Sequence, residues 1–304
     1  MSNVPETEEY QVMAEEVTYG TAPATVNTEL GIIQNTHHRI INGYARSKGI
    51  GCGLNARQVS ASALLDAGVS QTFQIINGYF LKLLLGTRTG AGTVGDPYTY
   101  VEADTIPSIT IEDAYNLSTD QVPRFLGCYP KKATIKCSIN KPAEVTIDWD
   151  AYDVSKSATF QTITHLTGNA FMFTDGVYEQ PSATAINEVQ DATITIDFIL
   201  KRNGGVGGRK GVLKVHGRNY GISFKKLLEN GTHLENAMGG ASATSAGSPA
   251  SIATLRLNFT NGSKYLRITL NDISLDHEMN SELEKSTEET INGIAKTASA
   301  VEVV

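Results

Sequence analysis

The chain has 304 residues, 40% of them hydrophobic and only 19% charged, which is enough apolar material for one large core or two smaller ones without a disulfide or metal staple. Its formal charge of −7 opposes binding to a polyanion, and no basic stripe with interleaved aromatics offsets it, so high-affinity DNA binding is excluded. Cys52, Cys128 and Cys137 form no C-x-x-C pair and, being odd in number, no disulfide framework; they read as small hydrophobes in a reducing compartment.

Residues 1–14 are Glu-rich and lack periodicity, which predicts a flexible N-terminal arm. They contain neither a basic nor an apolar leader region, so no Sec signal and a soluble product made in a cytoplasm are expected. Asn77 is placed to cap a short helix over Tyr79–Leu85, ended by Gly86 where positive φ is needed. That apolar run is interrupted by Lys82 and is too short to span a bilayer, so no membrane partner is expected.

Period-2 alternation then recurs in segments bounded by Gly, Pro or Asn, the pattern of half-buried antiparallel strands. Ile109 and Ile111 share a face, as do Ile135, Cys137 and Ile139. In Glu144 to Asp150, Val145, Ile147 and Trp149 alternate with Glu144, Thr146, Asp148 and Asp150. Thr193 to Leu200 groups Ile194, Ile196, Phe198 and Leu200, and Leu213 with Val215 is a shorter case. Ser223–Asn230, with Phe224, Leu227 and Leu228 inward and Gly231 closing it, predicts a second helix. Leu255, Leu257 and Phe259, then Leu266, Ile268 and Leu270, predict two further strands. Ser281 with Glu284 forms a capping-box signal for a third, thinly apolar helix.

Residues 87–97, 203–211 and 238–250 are glycine-rich or nearly devoid of groups to bury and predict loops. No internal repeat stands out. The expected organisation is an arm over 1–14, a β-rich domain over 15–280 with an inserted element within 201–250, and a C-terminal tail or helix over 281–304.

No motif in the chain meets the physical requirements of a nucleotide, metal or nucleophile site. Gly90-Ala91-Gly92-Thr93-Val94-Gly95 matches G-x-G-x-x-G, but it follows a helix and runs into Asp96-Pro97 instead of opening the helix N-terminus that a pyrophosphate needs. The glycines from Gly204 to Gly211 lack G-K-[ST]. Asp148, Asp150 and Asp153 miss the glycine and the terminal Glu of a calcium loop. The six histidines have no zinc spacing, and no G-x-S-x-G elbow marks a nucleophile. No catalytic residue, metal or cofactor is expected, and the chain does not read as an enzyme.

Two separated segments resemble the tail tube proteins of long-tailed bacteriophages and archaeal head-tailed viruses. Glu15-Glu16-Val17-Thr18-Tyr19-Gly20-Thr21-Ala22-Pro23 is similar to that family's E-x-T-Y-G-T-A-P opening, and Arg57 to Gly86 resembles its strand followed by a Leu-rich helix ending in L-G. Pro107 to Glu112, Arg124 to Cys128 and Thr134 to Asp148 are similar to its P-S-x-T-I-E, R-x-x-x-G-C and V-T-V-D succession of strands. Residues 201–250 carry no stretch similar to these motifs.

The resemblance implies a mainly β chain, an antiparallel β-sandwich or half-barrel with one or two short helices. Six copies would join into a ring, and stacked rings would form the conduit for genome delivery in a virion tail assembled in the host cytoplasm. DNA would pass without specific binding, so an acidic lumen is expected, with Glu144, Asp148, Asp150 and Asp197 as its candidates. Tyr44, Arg46, Lys48 and Ile50 are candidates for contacts between successive rings. Partners would be the chain itself and the tail terminator, tape measure and baseplate proteins. The alternative reading is a tail or surface adhesin; the low aromatic content, 7%, argues against it.

Overall fold

The computed structural model describes residues 9–41, 44–47, 58–61, 65–115, 121–157, 163–180, 184–186, 189–204, 210–228, 232–241, 243–245, 247–248, 250–280 and 287–304. The strands, in chain order, are β1 (Glu9–Glu15), β2 (Ile32–Ile41), β3 (Tyr44–Ser47), β4 (Gln58–Ala61), β5 (Asp66–Gln74), β6 (Gly86–Thr89), β7 (Tyr98–Glu102), β8 (Ile109–Tyr115) and β9 (Val122–Ser138). They continue as β10 (Glu144–Ala151), β11 (Asp153–Ser157), β12 (Gly176–Glu179), β13 (Ala185–Ile186), β14 (Val189–Asn203), β15 (Val212–Leu227), β16 (Ser251–Asn261), β17 (Lys264–Asn280) and β18 (Glu288–Val303). Among the described residues there are also two short α-helices, α1 (Tyr79–Leu85) and α2 (Thr232–Met238), and a 3-10 turn over Phe173–Asp175.

Among the described residues, sixteen strands join into one antiparallel sheet, with β3–β4 as a separate hairpin. The sheet closes into a half-barrel because its longest strands change partners along their length. β9 pairs first with β8 and β11, then with β10 and β14. Gly127, at φ 60°, lies where that exchange occurs, and a Cβ there would come within 2.8 Å of Tyr152. β18 likewise pairs with β15 through its first half and with β7 through its last residues.

Every strand predicted from alternation is present. β10 alternates without a break, burying Val145, Ile147, Trp149 and Ala151. Leu255, Leu257 and Phe259 of β16 and Leu266, Ile268 and Leu270 of β17 are buried in the same cluster. α1 contributes Phe80, Leu81, Leu83, Leu84 and Leu85, all buried, to the core. The N-cap is Gly78 and not the expected Asn77, whose Oδ1 instead accepts from the Tyr79 amide at 3.1 Å in an Asx turn leading into the helix, and Gly86 ends the helix at φ 110°. The last strand also holds this helix: the Gly78 amide donates to Glu302 Oε1 at 2.6 Å, and Tyr100 donates to the other oxygen.

The helix expected over Ser223–Asn230 is absent. Residues up to Leu227 belong to β15, where Tyr220, Ile222 and Phe224 are buried at alternate positions. Neighbours on both sides, β14 and β18, satisfy the backbone as a ladder, and this outweighs the helical spacing of Phe224, Leu227 and Leu228. The helix forms instead from Thr232. Ser281 and Glu284 lie outside the described residues, and Glu288–Val303, expected as tail or helix, is a strand inside the sheet. From Glu9 the expected arm is also a strand: β1 pairs with β8 along its whole length and buries Tyr10, Val12 and Met13. The alternation of Tyr10, Val12 and Ala14 was masked by the neighbouring glutamates.

A repeat emerges that alternation alone did not reveal. The strand order β1-β8-β9-β10-β5-β2 recurs as β12-β16-β17-β18-β15-β14, every contact antiparallel. The two helices, seven residues each, occupy equivalent places after β5 and β15. Both units carry a register irregularity at the matching point, Ile33/Asn35 in one and Val189/Asp191 in the other. The sequence similarity is confined to short runs: Asp66-Ala67-Gly68-Val69-Ser70 with Asn219-Tyr220-Gly221-Ile222-Ser223, and Glu144-Val145-Thr146-Ile147 with Glu288-Glu289-Thr290-Ile291. Within 201–250, the described strand β15 and helix α2 have counterparts in the first unit, β5 and α1.

Candidate functional site

The eight strands β2-β5-β10-β9-β14-β15-β18-β17 form a single inner sheet with the core behind it. One row of residues crosses all of them: Asn35, Thr72, Thr146, Thr134, Thr195, Gly221, Ile294 and Ser274. These side chains point away from the core, because Phe73, Val145, Ile135, Ile194 and Ile222 at the adjacent positions are buried in it. The result is one broad polar face, broken by the exposed Ile294, Ile199 and Ile41.

Glu144, Asp148, Asp150 and Asp197 all stand on this face. Glu144 lies between Gln74 and Lys136, while Asp148 and Asp197 flank the same residue, Lys132. Asp148 accepts a hydrogen bond from Ser70 at 2.6 Å, and Asp197 is 3.9 Å from Lys132 Nζ. Asp150 is held by Arg39 at 2.5 Å, and Arg39 also donates from Nε and Nη2 to a single oxygen of Asp66, at 3.1 and 3.0 Å. The face is thus of mixed charge, with Lys132, Lys136 and Arg39 set among the carboxylates, not the uniformly acidic surface that alternation on two strands suggested.

Tyr44 and Arg46 lie in the β3–β4 hairpin, opposite Ala61 and Val59, at the far end of β2 and β5. Lys48 and Ile50 lie outside the described residues. Asp148, Asp150 and Asp153 do not converge, since Asp153 pairs separately with Lys210. Among the described residues no group of three His, Cys, Asp or Glu side chains is arranged for a metal ion. Cys128 and Cys137 are buried thiols, and burial raises both pKa values, Cys137 to about 11. Cys52 lies outside the described residues.

The residues of the N-terminal motif meet those of the later strand motif. Glu16 accepts from the Gly20 and Gly127 amides and from the hydroxyls of Ser108 and Thr110, at 2.7–2.8 Å. Tyr19 stacks on Tyr129, packs against Tyr152 and accepts from the Leu213 amide; burial pushes its phenol up to about 12. One carboxylate and one ring therefore tie the segment after β1 to β8, β9 and β15, which explains why Glu, Tyr and Gly occur at that spacing.

Two features of this region were not visible in the sequence. One is the pair of strand edges that end the inner sheet. β2 pairs only with β5, and β17 beyond Ser274 pairs only with β18 among the described residues. The other is a buried ionic cluster behind the second unit, where Glu289 meets Lys226 at 3.4 Å, His233 at 3.2 Å and His277 at 2.9 Å. Neither has a local signal, because both depend on which strands become neighbours.

A half-barrel with one extended polar face and sheet edges open to strand pairing is the architecture of a structural β-protein. The model of the phage tail tube protein family matches residues 9–300, and the chain belongs to that family. Comparison with the curated proteins gives no match. No helix among the described residues is long and apolar enough to cross a membrane.

Proposed function

We propose that copies of this chain close into rings, with the inner sheets in a sixfold arrangement, and that stacked rings form the conduit for genome delivery in the virion tail. The observation that carries this reading is the polar face spanning eight strands, backed along its length by the core and ending in edges that have no further strand among the described residues. A face of that breadth is suited to line a bore. Its alternating Lys132, Lys136, Arg39 and carboxylates offer DNA phosphates no contiguous basic track, so nucleic acid slides without being held.

Glu144, Asp148, Asp150 and Asp197 are the lumen residues in this reading, and Tyr44, Arg46, Lys48 and Ile50 supply contacts between rings. Tail terminator, tape measure and baseplate proteins are the partners at the ends and interior of the tube, and assembly takes place in the host cytoplasm. Negative-stain microscopy of the purified protein tests the proposal: rings or tubes of uniform diameter are expected. Protein that stays monomeric at high concentration, even with an initiator supplied, would overturn it. Asp197→Lys is expected to slow genome delivery while tubes still form; unchanged delivery kinetics would remove Asp197 from the lumen.

A further inference from the structure

The two units already meet once inside the chain, where β9 pairs with β14. In that junction Lys132 is opposite Asp197, Ala133 opposite Ile196, Thr134 opposite Thr195 and Ile135 opposite Ile194. β9 is joined to β8 as far as Cys128 and to β14 from Lys132 onward. In the second unit β17 is joined to β16 as far as Ser274, and Leu275–Asn280 has no strand on that side among the described residues. The strand that would take the place of β14 is β2, the edge of the first unit. Each chain therefore carries both halves of the same junction, one at each end of its inner sheet.

We infer that β17 of one copy pairs antiparallel with β2 of the next, in the register of the internal β9–β14 junction. The register transfers through the shared ladders. Asn280 faces Glu288 as Lys136 faces Glu144, and Ser70 faces His37 as Ser223 faces Thr193. Asp276 of one copy then lies opposite Ile41 of the next, His277 opposite Ile40, Glu278 opposite Arg39 and Met279 opposite His38.

Burial supports this assignment. Ile135 and Ile196 are 0% and 2% exposed in the internal junction, whereas their counterparts Met279 and Ile40 are 58% and 46% exposed at the open edges. These apolar groups lie on the core-facing side of their strands, at edges where a further strand would cover them. Charge agrees as well. The β17 edge presents Asp276 and Glu278, and the β2 edge presents Arg39, which already holds Asp66 and Asp150 and would meet Glu278 when edges of two copies pair. Two copies of the same edge would set like charges against each other, which favours head-to-tail pairing.

Head-to-tail contact is heterologous and closes into a ring when its rotation allows. Closure itself rests on the ring reading above, while the junction does not. Because each chain supplies two units, a ring holds half as many chains as units, and the proposed sixfold arrangement would contain three chains instead of six.

Disulfide trapping tests the junction. Ile41→Cys and Asp276→Cys, combined in a Cys52→Ser background, place cysteines at exposed positions expected to face each other across copies. Opposed Cα atoms in an antiparallel ladder lie about 4.5–5.5 Å apart, within disulfide range. In one chain the same positions are separated by seven strand spacings of about 4.8 Å each, so no internal bridge can form. Under mild oxidation the assembled protein is expected to yield reducible covalent oligomers ending in a closed three-chain species. Arg39→Cys with Glu278→Cys should behave the same way, and the shifted pair Ile41→Cys with Glu278→Cys should cross-link at least tenfold more slowly.

Rings without cross-links would overturn the junction and leave the ring reading standing. Cross-linked chains without rings would support the junction and overturn the ring reading. Absence of both would overturn both. Equal cross-linking by the shifted pair would overturn the register, and a closed six-chain product would overturn the chain count.

Discussion

The two units place opposite chemistry at the same positions of the same framework. In the first unit Phe73 of β5, Phe80 of α1 and Val145 of β10 are fully buried, and the two rings meet edge to face at 5.8 Å. At the equivalent places in the second unit stand Lys226 of β15, His233 of α2 and Glu289 of β18, with the last carboxylate shared among Lys226, His233 and His277. The helices follow suit: α1 buries five apolar residues, whereas α2 buries His233 and leaves Leu234 44% exposed. Strand order and ladder register are thus compatible with either an apolar or an ionic contact under the helix. The difference lies in how each responds to loss of one member. An apolar cluster loses transfer energy and leaves a cavity, while an ionic cluster leaves a charge buried without its partner.

The largest expected effect is that of Glu289→Val, which copies the first unit's residue alone. It removes the carboxylate from Lys226, His233 and His277 and should cost about 3–5 kcal/mol in urea unfolding. A loss below about 1 kcal/mol would show that the cluster does not depend on its anion. Phe80→Ala should cost a comparable ~3–5 kcal/mol by cavity formation, and a smaller loss would mean that α1 resettles over the gap.

Converting the whole trio, with Lys226→Phe, His233→Phe and Glu289→Val together, is expected to recover most of the single-variant loss, since well-packed apolar groups replace buried ions at little net cost. Failure to recover would indicate that the second unit's backbone is shaped for the ions. The smallest effect is in pH dependence. Burial, aided by Lys226 and His277 and only partly opposed by Glu289, holds the His233 pKa below its ordinary 6.5. The unfolded chain therefore binds the proton more readily, so the stability contributed by neutral His233 is present above pH 6.5 and is lost as pH falls below it. Urea midpoints at about pH 7.5 and 5.5 check this: the trio variant should lose the acid-side decrement due to His233.

The strand content was legible in the sequence because each strand buries one face, and alternation such as Val145, Ile147, Trp149 records that directly. α1 was legible from its leucines and Gly86, while its N-cap fell at Gly78 and not at Asn77. The grouping of Glu144, Asp148 and Asp150 followed from parity within β10. Asp197 joins them only because β14 pairs with β9 in the observed register. Residues 223–230 read as a helix because their spacing fits two periods, and flanking strands decided the outcome. The repeat escaped notice because corresponding core positions carry phenylalanine in one unit and lysine or histidine in the other, leaving only short runs such as Gly68-Val69-Ser70 and Gly221-Ile222-Ser223 in common.

The amino-acid sequence by itself determined a mainly β chain, the faces of its individual strands, its first helix and a resemblance to tail tube proteins carried by the Glu16–Tyr19–Gly20 and Arg124–Cys128 segments. These follow from side-chain period and backbone preference, which act over a few residues. Only the tertiary structure decided strand order, the two-unit repeat, the ionic cluster around Glu289 and the edges at β2 and β17. Each of those depends on hydrogen bonds between segments far apart in the chain, and alternation says which face a strand buries but not which strand lies beside it.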